Sequence, residues 1–232
     1  MGTLKIISWN IQQGGGSRIR PIALALINGL YDIIVLSEFK NNANGLKIRE
    51  LLLENGYLFQ SNTDSKSEDN SVLIASKHSS STTLYPDADP VFSQNIITSH
   101  FSAFSVMGVY LPHKKKHHLL PFITTKIAET QIPFIVTGDY NIGHNYVDQK
   151  GDSFWYQAEL QAFEKTGMVD AFRHIHQKKE EYSWFSHQGN GYRYDHTYVH
   201  ESLLPIVKNC YYLHEWRQNK LSDHSPMVLE LG

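Results

Sequence analysis

The chain alternates short apolar runs with polar loops and with segments whose apolar residues recur at helical spacing. The runs are rich in β-branched and aromatic residues, a combination that predicts strands. Strands are predicted over residues 4–9, 32–36, 72–75, 101–111, 133–137, 197–199 and 227–231. Helices are predicted over residues 21–30, 46–54, 119–130 and 154–165.

This succession of strands and helices predicts an α/β or α+β fold. The long stretches without a helical pattern argue against a repeating βαβ barrel. The segment 61–70 is polar and is therefore predicted to be a surface loop, and it is too short to link two domains. The chain has 232 residues and shows no internal repeat, so residues 1–232 are expected to form a single domain.

Polar side chains stand where several of the predicted strands stop or start. Loops at strand ends are open while the strands beneath them are rigid, so sheet proteins commonly build a site there. If the last two strands run opposite to the first ones, all these polar groups reach one edge. The groups are Asn10, Glu38, Tyr110, Asp139, Asn141, Asp195, Asp223 and His224.

Four of these groups are carboxylates, and they cannot all stay ionised in one cleft without a counter-charge. A bound cation would supply that charge. Carboxylate and amide oxygens are hard donors, which suit Mg²⁺ or Mn²⁺ better than Zn²⁺. A hard metal beside a histidine held by a carboxylate is typical of chemistry at phosphoryl oxygens.

Charge and cysteine content restrict the class of protein further. The formal net charge is -2, so bulk positive charge does not hold a nucleic acid here, although a local basic patch is compatible with an enzyme. The single cysteine, Cys210, cannot form an intrachain disulfide, which favours a reducing compartment. The sequence shows no secretory signal and no apolar run approaching the roughly 18 residues of a membrane span. We therefore expect a cytoplasmic monomer that does not contact a membrane.

Six short elements follow one another in an order that resembles the endonuclease/exonuclease/phosphatase superfamily. They are Trp9-Asn10, Leu36-Ser37-Glu38, Tyr110-Leu111-Pro112, Gly138-Asp139-Tyr140-Asn141, Arg193-Tyr194-Asp195 and Ser222-Asp223-His224. The Tyr-x-Pro and Arg-x-Asp elements look most like the exonuclease III and abasic-site endonuclease branch. The resemblance spans residues 9–224 and implies a four-layer sandwich of two packed mixed β-sheets flanked by helices.

The resemblance also implies a metal-dependent phosphodiester hydrolase with Mg²⁺ or Mn²⁺ as its cofactor. Glu38 would be the main metal ligand, and Asn10 would lie close by. Asp223 would support the metal region.

The remaining matched residues would carry out the chemistry. Asp139 would position or deprotonate the attacking water, and Asn141 would hydrogen-bond the scissile phosphate. His224 would contact the phosphate or act as a base, oriented by Asp195. Tyr110 would stabilise the phosphate or help the leaving oxygen.

Four further residues are expected to bind substrate. His113 and Lys114 follow the Tyr-x-Pro element, where His113 could act as a second acid and the lysine run could either bind phosphate or be a solvated loop. Trp184 lies in an aromatic segment similar to the pocket for a flipped-out sugar, but its ring could equally belong to the core. Arg193 is either a substrate contact or a structural ion-pair partner. The glycines at 14–16 either admit a phosphate close to the backbone or form a flexible turn.

The expected partner is a nucleic acid, in the first place DNA that is abasic or damaged. A nuclease for RNA or single strands would use the same chemistry with different loops. A phosphatase for small phosphate esters is a further alternative, although the Cys-Asp-Arg element of the inositol branch is absent near Arg193. A binding module that had lost activity would be expected to lack Glu38, Asp139 or His224, and all three are present.

Overall fold

The structure is a computed structural model that describes residues 2–113 and 116–232. Its strands are β1 (Leu4–Asn10), β2 (Ile33–Phe39), β3 (Phe59–Asn62), β4 (Ser71–Ser76), β5 (Ser81–Leu84), β6 (Ile96–His100), β7 (Ser105–Tyr110), β8 (Phe134–Asp139), β9 (Met168–Asp170), β10 (Trp184–Phe185), β11 (Gly191–Tyr192), β12 (Asp195–His200), β13 (Val207–Tyr212) and β14 (Met227–Leu231). Its helices are α1 (Ile19–Asn28), α2 (Ala43–Glu54), α3 (Lys116–Ala128), α4 (Gln157–Glu164), α5 (Ala171–Ile175) and α6 (His214–Gln218). No helix in these ranges is long and apolar enough to cross a membrane.

The strands form two six-stranded sheets and one short hairpin. The first sheet has the order β13-β14-β1-β2-β4-β3 and the second the order β5-β6-β7-β8-β12-β9, while β10 pairs with β11. Within each large sheet one central pair is parallel, β1 with β2 and β7 with β8, and the other pairs are antiparallel. Both sheets are therefore mixed, as the sequence predicts.

The central strands are apolar on both faces because each sheet is covered on both sides. In β1, Ile6 faces the other sheet, whereas its neighbour Ile7 packs under α1 and α2. In β8, Ile135 joins the core between the sheets, and Val136 joins the outer core with α3 and α4. The result is the expected four-layer sandwich of helices, sheet, sheet and helices.

The two sheets approach each other closely near the middle of β7. Gly108 faces β2 and β4 there, and a β-carbon at this position would lie 2.8 Å from methyl groups of Val35 and Val72. That distance is shorter than a van der Waals contact, so glycine is required where the sheets meet.

The predicted strand over residues 101–111 is wrong at its beginning. Phe101 begins the turn between β6 and β7, in which its N–H donates to the Phe104 carbonyl, and only residues 105–110 of the predicted stretch form β7. The edge strands β3 and β5 were also missed, because their sequences FQSN and STTL are polar. The predicted loop at 61–70 accordingly begins two residues later, after β3.

Candidate active site

Strand direction brings the polar strand ends of both sheets to one edge. In the second sheet Asp139 at the end of β8 pairs in register with Tyr110 of β7 and with Asp195 of β12. In the first sheet Asn10 at the end of β1 pairs with Ser37 of β2. Because directly paired residues share one face of a sheet, these groups converge where the two sheets pack together.

Asn10 joins the two sheets through its side-chain amide. Its Nδ2 donates to Asp139 Oδ2 over 2.9 Å and to Glu38 Oε1 over 3.1 Å. Its Oδ1 accepts from the backbone N–H of Gln12 over 2.9 Å, which fixes the orientation of the amide. Asn10 is fully buried, so it holds two carboxylates from different sheets at a fixed separation.

An irregularity of β2 directs the Glu38 side chain towards the polar cluster where the two sheets meet. The pairing of β2 with β4 shifts register between Ser37 and Phe39, and Glu38 between them has a φ of 53°. Bulges of this kind re-aim a side chain, and a positive φ costs a non-glycine residue roughly 1–3 kcal/mol. Glu38 Oε2 accepts from the N–H of Gln13 over 2.7 Å, so the loop after β1 also holds the carboxylate.

Asp139 lies at the centre of the cluster and is 1% exposed. Its Oδ1 accepts from the N–H of Asn141 over 2.9 Å, and its Oδ2 accepts from Asn141 Nδ2 over 3.1 Å. Burial raises the pKa of Asp139 to about 7, with His224 opposing the shift and Asp195 adding to it. Asn141 has a φ of 49°, a conformation that asparagine tolerates better than most residues.

Asp195 and His224 form a buried pair beside Asp139. His224 Nδ1 lies 2.7 Å from Asp195 Oδ2, which leaves the opposite ring nitrogen, Nε2, for another partner. Burial alone would lower the pKa of His224, but Asp195 reverses this effect and raises it to about 10. The Trp9 indole donates to the His224 carbonyl over 2.9 Å and fixes the backbone at this position.

Tyr110 faces the same carboxylates from β7. Burial raises the pKa of its phenol well above the usual range, and the neighbouring charges of Glu38 and Asp139 raise it further. The hydroxyl therefore stays protonated and can serve as a neutral donor.

Arg18 is a member of the site that sequence reasoning missed. It donates to the carbonyls of Gln12 and Leu221, so it ties the loop after β1 to the loop that carries Asp223. Burial lowers the pKa of Arg18, whereas the charges of Asp223 and Glu38 raise it. The only sequence signal was an arginine directly after the glycine-rich segment.

Asp223 and Trp184 contact each other on the other side of the cluster. The Trp184 indole donates to Asp223 Oδ2 over 3.2 Å, and its ring lies 6.4 Å from the His224 ring. Trp184 also packs on Tyr194, with ring centroids 5.4 Å apart. It is half-buried and contacts both the core and the site, so the two interpretations left open by the sequence are not exclusive.

A cavity of about 380 Å³ opens beside this aromatic contact. Its lining includes His113, whose ring lies 5.9 Å from the Tyr194 ring. Tyr192 and Tyr194 form one wall with nearly parallel rings, 5.2 Å apart at an angle of 14°. The predicted substrate contact of Lys114 lies outside the described residues.

Arg193 does not reach a surface that a substrate can touch. The side chain is completely buried, its Nε lies 2.8 Å from Asp148 Oδ1, and its Nη2 lies 2.5 Å from Asp170 Oδ2. The expected substrate contact of Arg193 is therefore wrong, and the ion-pair alternative fits the structure. The glycines at 14–16 all have positive φ, and side chains of Lys40 and Ile19 lie within 3.2 Å of β-carbon positions at Gly14 and Gly15, so they form a packed turn rather than an open loop.

The donors at this edge fit a divalent cation. The cluster has four carboxylates, Glu38, Asp139, Asp195 and Asp223, against the two cationic groups Arg18 and His224 that lie beside them. The carboxylates outnumber the cationic groups, so this edge of the sheets favours a bound cation. Ligand atoms of the Asp139 and Asp195 carboxyl groups also lie within 4.8 Å of each other, so negative charge is concentrated here. Because most donors are carboxylate and amide oxygens, the set suits a hard cation.

At one edge, the two packed mixed sheets bring together hard oxygen ligands, a histidine held by a carboxylate and neutral hydrogen-bond donors. This combination is typical of a hydrolase of phosphate esters. Residues 7–224 match the Endonuclease/Exonuclease/phosphatase family, and the chain belongs to that family. An exodeoxyribonuclease of Streptococcus pneumoniae serotype 4 is 25% identical, and the match covers 98% of this chain and 99% of the relative.

Two solved structures share the fold over almost the whole chain. An AP endonuclease from Archaeoglobus fulgidus superimposes with a TM-score of 0.83 at 21% identity, covering 98% of this chain and 99% of the other. A 3′ phosphatase, NExo from Neisseria, bound to a product DNA hairpin, also has a TM-score of 0.83 at 22% identity, covering 99% of each chain. The similarity to these structures confirms the four-layer fold.

Replacing Glu38 with glutamine is expected to remove most of the rise in Tm that millimolar Mg²⁺ or Mn²⁺ gives the wild-type protein. Glutamine keeps the shape of the side chain but loses the charge that binds a hard cation. The metal ion then binds the folded protein more weakly and stabilises it less. In EDTA the Tm should be equal or higher, because one repelling carboxylate is gone. A thermal-shift titration measures both effects.

Glu54→Gln is the matched control for this experiment, since Glu54 is an exposed glutamate at the end of α2. It should respond to metal like the wild-type protein. An undiminished metal response in Glu38→Gln would show that Glu38 is not a ligand.

Proposed function

We propose that this protein is a nuclease that uses Mg²⁺ or Mn²⁺ to hydrolyse phosphodiester bonds of DNA, with abasic sites and 3′ ends as its substrates. The observation that carries the proposal is the convergence of both sheets on Asp139, which accepts hydrogen bonds from Asn10 and Asn141. We further propose a cytoplasmic monomer. The single cysteine, Cys210, is free and buried, which fits a reducing compartment.

The metal would be held by Glu38 with Asn10 beside it, and Asp223 would support this side of the site. When bound, a divalent cation neutralises charge on the phosphoryl oxygens and lowers the barrier to attack by water. The structure supports this assignment because Glu38 is held by two hydrogen-bond donors yet remains partly accessible.

Asp139 is the residue best placed to orient the attacking water and to accept its proton. Asn10 and Asn141 fix both carboxylate oxygens, so the side chain cannot rotate away from the site. Burial brings its pKa to about 7, in the range where a carboxylate is an effective base near neutral pH. A base of this kind typically contributes roughly 10²–10⁴-fold to the rate.

His224 is assigned to the phosphate rather than to water. Its Nδ1 is occupied by Asp195, and the pair keeps the imidazole positively charged, which suits a donor to a phosphate oxygen through Nε2. Asn141 would donate to the same phosphate once substrate displaces its present contacts. Tyr110, a neutral phenol, would donate to the phosphate or to the leaving oxygen. Donors fixed in advance at these places stabilise the developing charge without rearrangement.

DNA is favoured over small phosphate esters by the surroundings of the cluster. The aromatic cavity, whose Tyr194 packs on Trp184 next to His224, offers flat walls to a sugar or a base, which a phosphatase for small esters does not need. The relatives also act on DNA by their names, as an exodeoxyribonuclease, an AP endonuclease and a 3′ phosphatase bound to a DNA hairpin.

Cleavage of labelled substrates by the wild-type protein tests the proposal. The panel contains a duplex with one abasic site, a duplex with a 3′-phosphate end, undamaged duplex, single-stranded DNA, RNA and a small phosphodiester, each in Mg²⁺ and in EDTA. We expect incision at the abasic site and trimming of 3′ ends in Mg²⁺ only. Preferential cleavage of RNA, or of the small ester alone, would replace the proposed substrate, and cleavage that persists in EDTA would contradict the metal dependence.

A further inference from the structure

One aromatic side chain on the rim of the cavity has an unusual position. Trp155 is 74% exposed, whereas Trp9 is fully buried and Trp184 and Trp216 are half-buried. Tryptophan is highly buried on average, because its large apolar surface is costly to expose. An exposed indole at the mouth of a cavity therefore points to a ligand that covers it.

The cavity leads from Trp155 towards the catalytic residues. Phe154, Tyr192 and Tyr194 line it together with Trp155. The Phe154 ring lies 5.9 Å from Tyr194, which lies 5.4 Å from Trp184, and Trp184 lies 6.4 Å from His224. A nucleotide whose phosphate contacts His224 can therefore place its sugar and base along this row of rings. The volume of about 380 Å³ is within the usual range for a site that encloses a small molecule.

The segment that carries Trp155 is rigid. Asn145 clamps the backbone of Phe154, accepting from its N–H over 2.7 Å and donating to its carbonyl over 3.1 Å. Gln157, at the start of α4, donates to the Gly143 carbonyl over 2.8 Å. These bonds join both ends of the loop between β8 and α4. The backbone that carries the indole is therefore ordered before any ligand arrives, which lowers the entropic cost of binding.

Backbone strain keeps Trp155 turned outwards. Tyr156, the next residue, has a φ of 64° and lies in the left-handed region, which is rare for a bulky side chain. This conformation lets the Tyr156 ring pack against the core while Trp155 points to the rim. Strained residues persist where the surrounding structure enforces them and cluster at functional sites.

We propose that Trp155 stacks on the unpaired base of the nucleotide next to the scissile phosphate, and so makes the enzyme favour frayed or single-stranded ends that still carry a base. The inference rests on the proposed nuclease function and adds a preference to it. Every base has a flat π-face, so such a platform tolerates all four bases. Loss of one base–aromatic stack is expected to weaken binding by roughly 5- to 100-fold.

The test compares Trp155→Ala and Trp155→Phe with the wild-type protein on two matched duplexes. One duplex ends in a mismatched 3′ nucleotide, and the other ends in a base-free tetrahydrofuran residue at the same place. For the mismatched end, Trp155→Ala should raise KM by roughly 5-fold or more with little change in kcat, and Trp155→Phe should restore most of the loss. For the base-free end, KM should be unchanged in both variants.

Tyr146→Ala is the matched control, because Tyr146 is a 91% exposed aromatic of the same loop that does not line the cavity. It should leave both KM values unchanged. The stacking role would be overturned if Trp155→Ala left the KM for the mismatched end unchanged. It would also be overturned if Trp155→Ala raised the KM values for both ends equally, or if Tyr146→Ala raised them as much as Trp155→Ala does. A wild-type protein that cleaves neither duplex would instead refute the proposed nuclease function.

Discussion

Replacing Asp139 with asparagine is expected to lower kcat on an abasic duplex by about 10³-fold or more. The substitution removes the proposed base and one of the charges around the metal, and losing a single group that acts in the transition state commonly costs 10²–10³-fold. KM should change little, because substrate binds mainly through other groups. Steady-state kinetics in Mg²⁺ measures both parameters.

The same variant should fold at least as well as the wild-type protein. Asp139 is a buried carboxylate with a raised pKa, so removing its charge removes an unfavourable burial. Asparagine can still accept from the Asn10 amide through its oxygen, and the relief of burial offsets the acceptor lost where its NH2 faces the Asn141 N–H. Equal or higher Tm in EDTA would show that the loss of activity is chemical. Asp87→Asn, at an exposed position, is the matched control and should keep full activity. More than a tenth of the wild-type kcat in Asp139→Asn would contradict the proposed role.

Replacing Arg193 with methionine is expected to lower the free energy of unfolding by about 3–5 kcal/mol, the usual cost of removing one partner from a buried ion pair. Both Asp148 and Asp170 lose a guanidinium contact, and only Asp148 keeps a second one, from Arg173. Urea unfolding at neutral pH measures the change.

Two comparison variants make the effect specific. The double variant Arg193→Met with Asp170→Asn should recover part of the lost unfolding free energy, because one of the two buried carboxylates that lost Arg193 is now neutral. Arg20→Met, at an exposed position of α1, should change the free energy of unfolding by less than about 0.5 kcal/mol. A loss below about 1 kcal/mol in Arg193→Met would contradict the buried network.

The contribution of Asp148 to the pH dependence of stability should change sign in this variant. Burial would raise the pKa of Asp148, but Arg193 brings it down to about 2, so its contribution to wild-type stability is lost only as the pH falls from about 4 to 2. Without Arg193, burial is the main influence on the pKa values of Asp148 and Asp170, so both carboxyls protonate at a higher pH. The difference in unfolding free energy between the two proteins should therefore shrink from pH 7 to pH 4.

Local sequence predicts the α/β class and marks the candidate site residues, whereas the four-layer sandwich follows from the resemblance to the family. Strands such as β2 and β8 are continuous apolar runs that end abruptly in Glu38 or Asp139, and this contrast marks both the strand and the site residue. The order of the six motifs indicates the family. The family in turn implies the strand directions that bring Asn10 and His224 to the same edge of the sheets. The edge strands were not predictable, since polar sequences such as that of β5 form strands only through their neighbours.

Roles that depend on distant partners could not be predicted from the sequence. Arg193 is buried because Asp148 lies 45 residues away along the chain and Asp170 lies 23 residues away, and nothing in the local sequence links the three. Arg18 belongs to the site because its guanidinium donates to the carbonyl of Leu221, 203 residues later in the chain. The outward position of Trp155 depends on the positive φ of Tyr156 and on the backbone contacts of Asn145, which only the folded loop reveals.

Catalysis at this edge is tested most directly by locating metal and phosphate in one crystal. Crystals of Asp139→Asn, soaked with Mn²⁺ and a short duplex carrying an abasic site, would give an anomalous map at the manganese edge. We expect one strong peak beside the Glu38 carboxylate, and the phosphate at the abasic site within hydrogen-bond distance of His224 Nε2 and Asn141. A peak remote from Glu38, or a phosphate bound on another face of the protein, would contradict the assignment of this cluster as the active site.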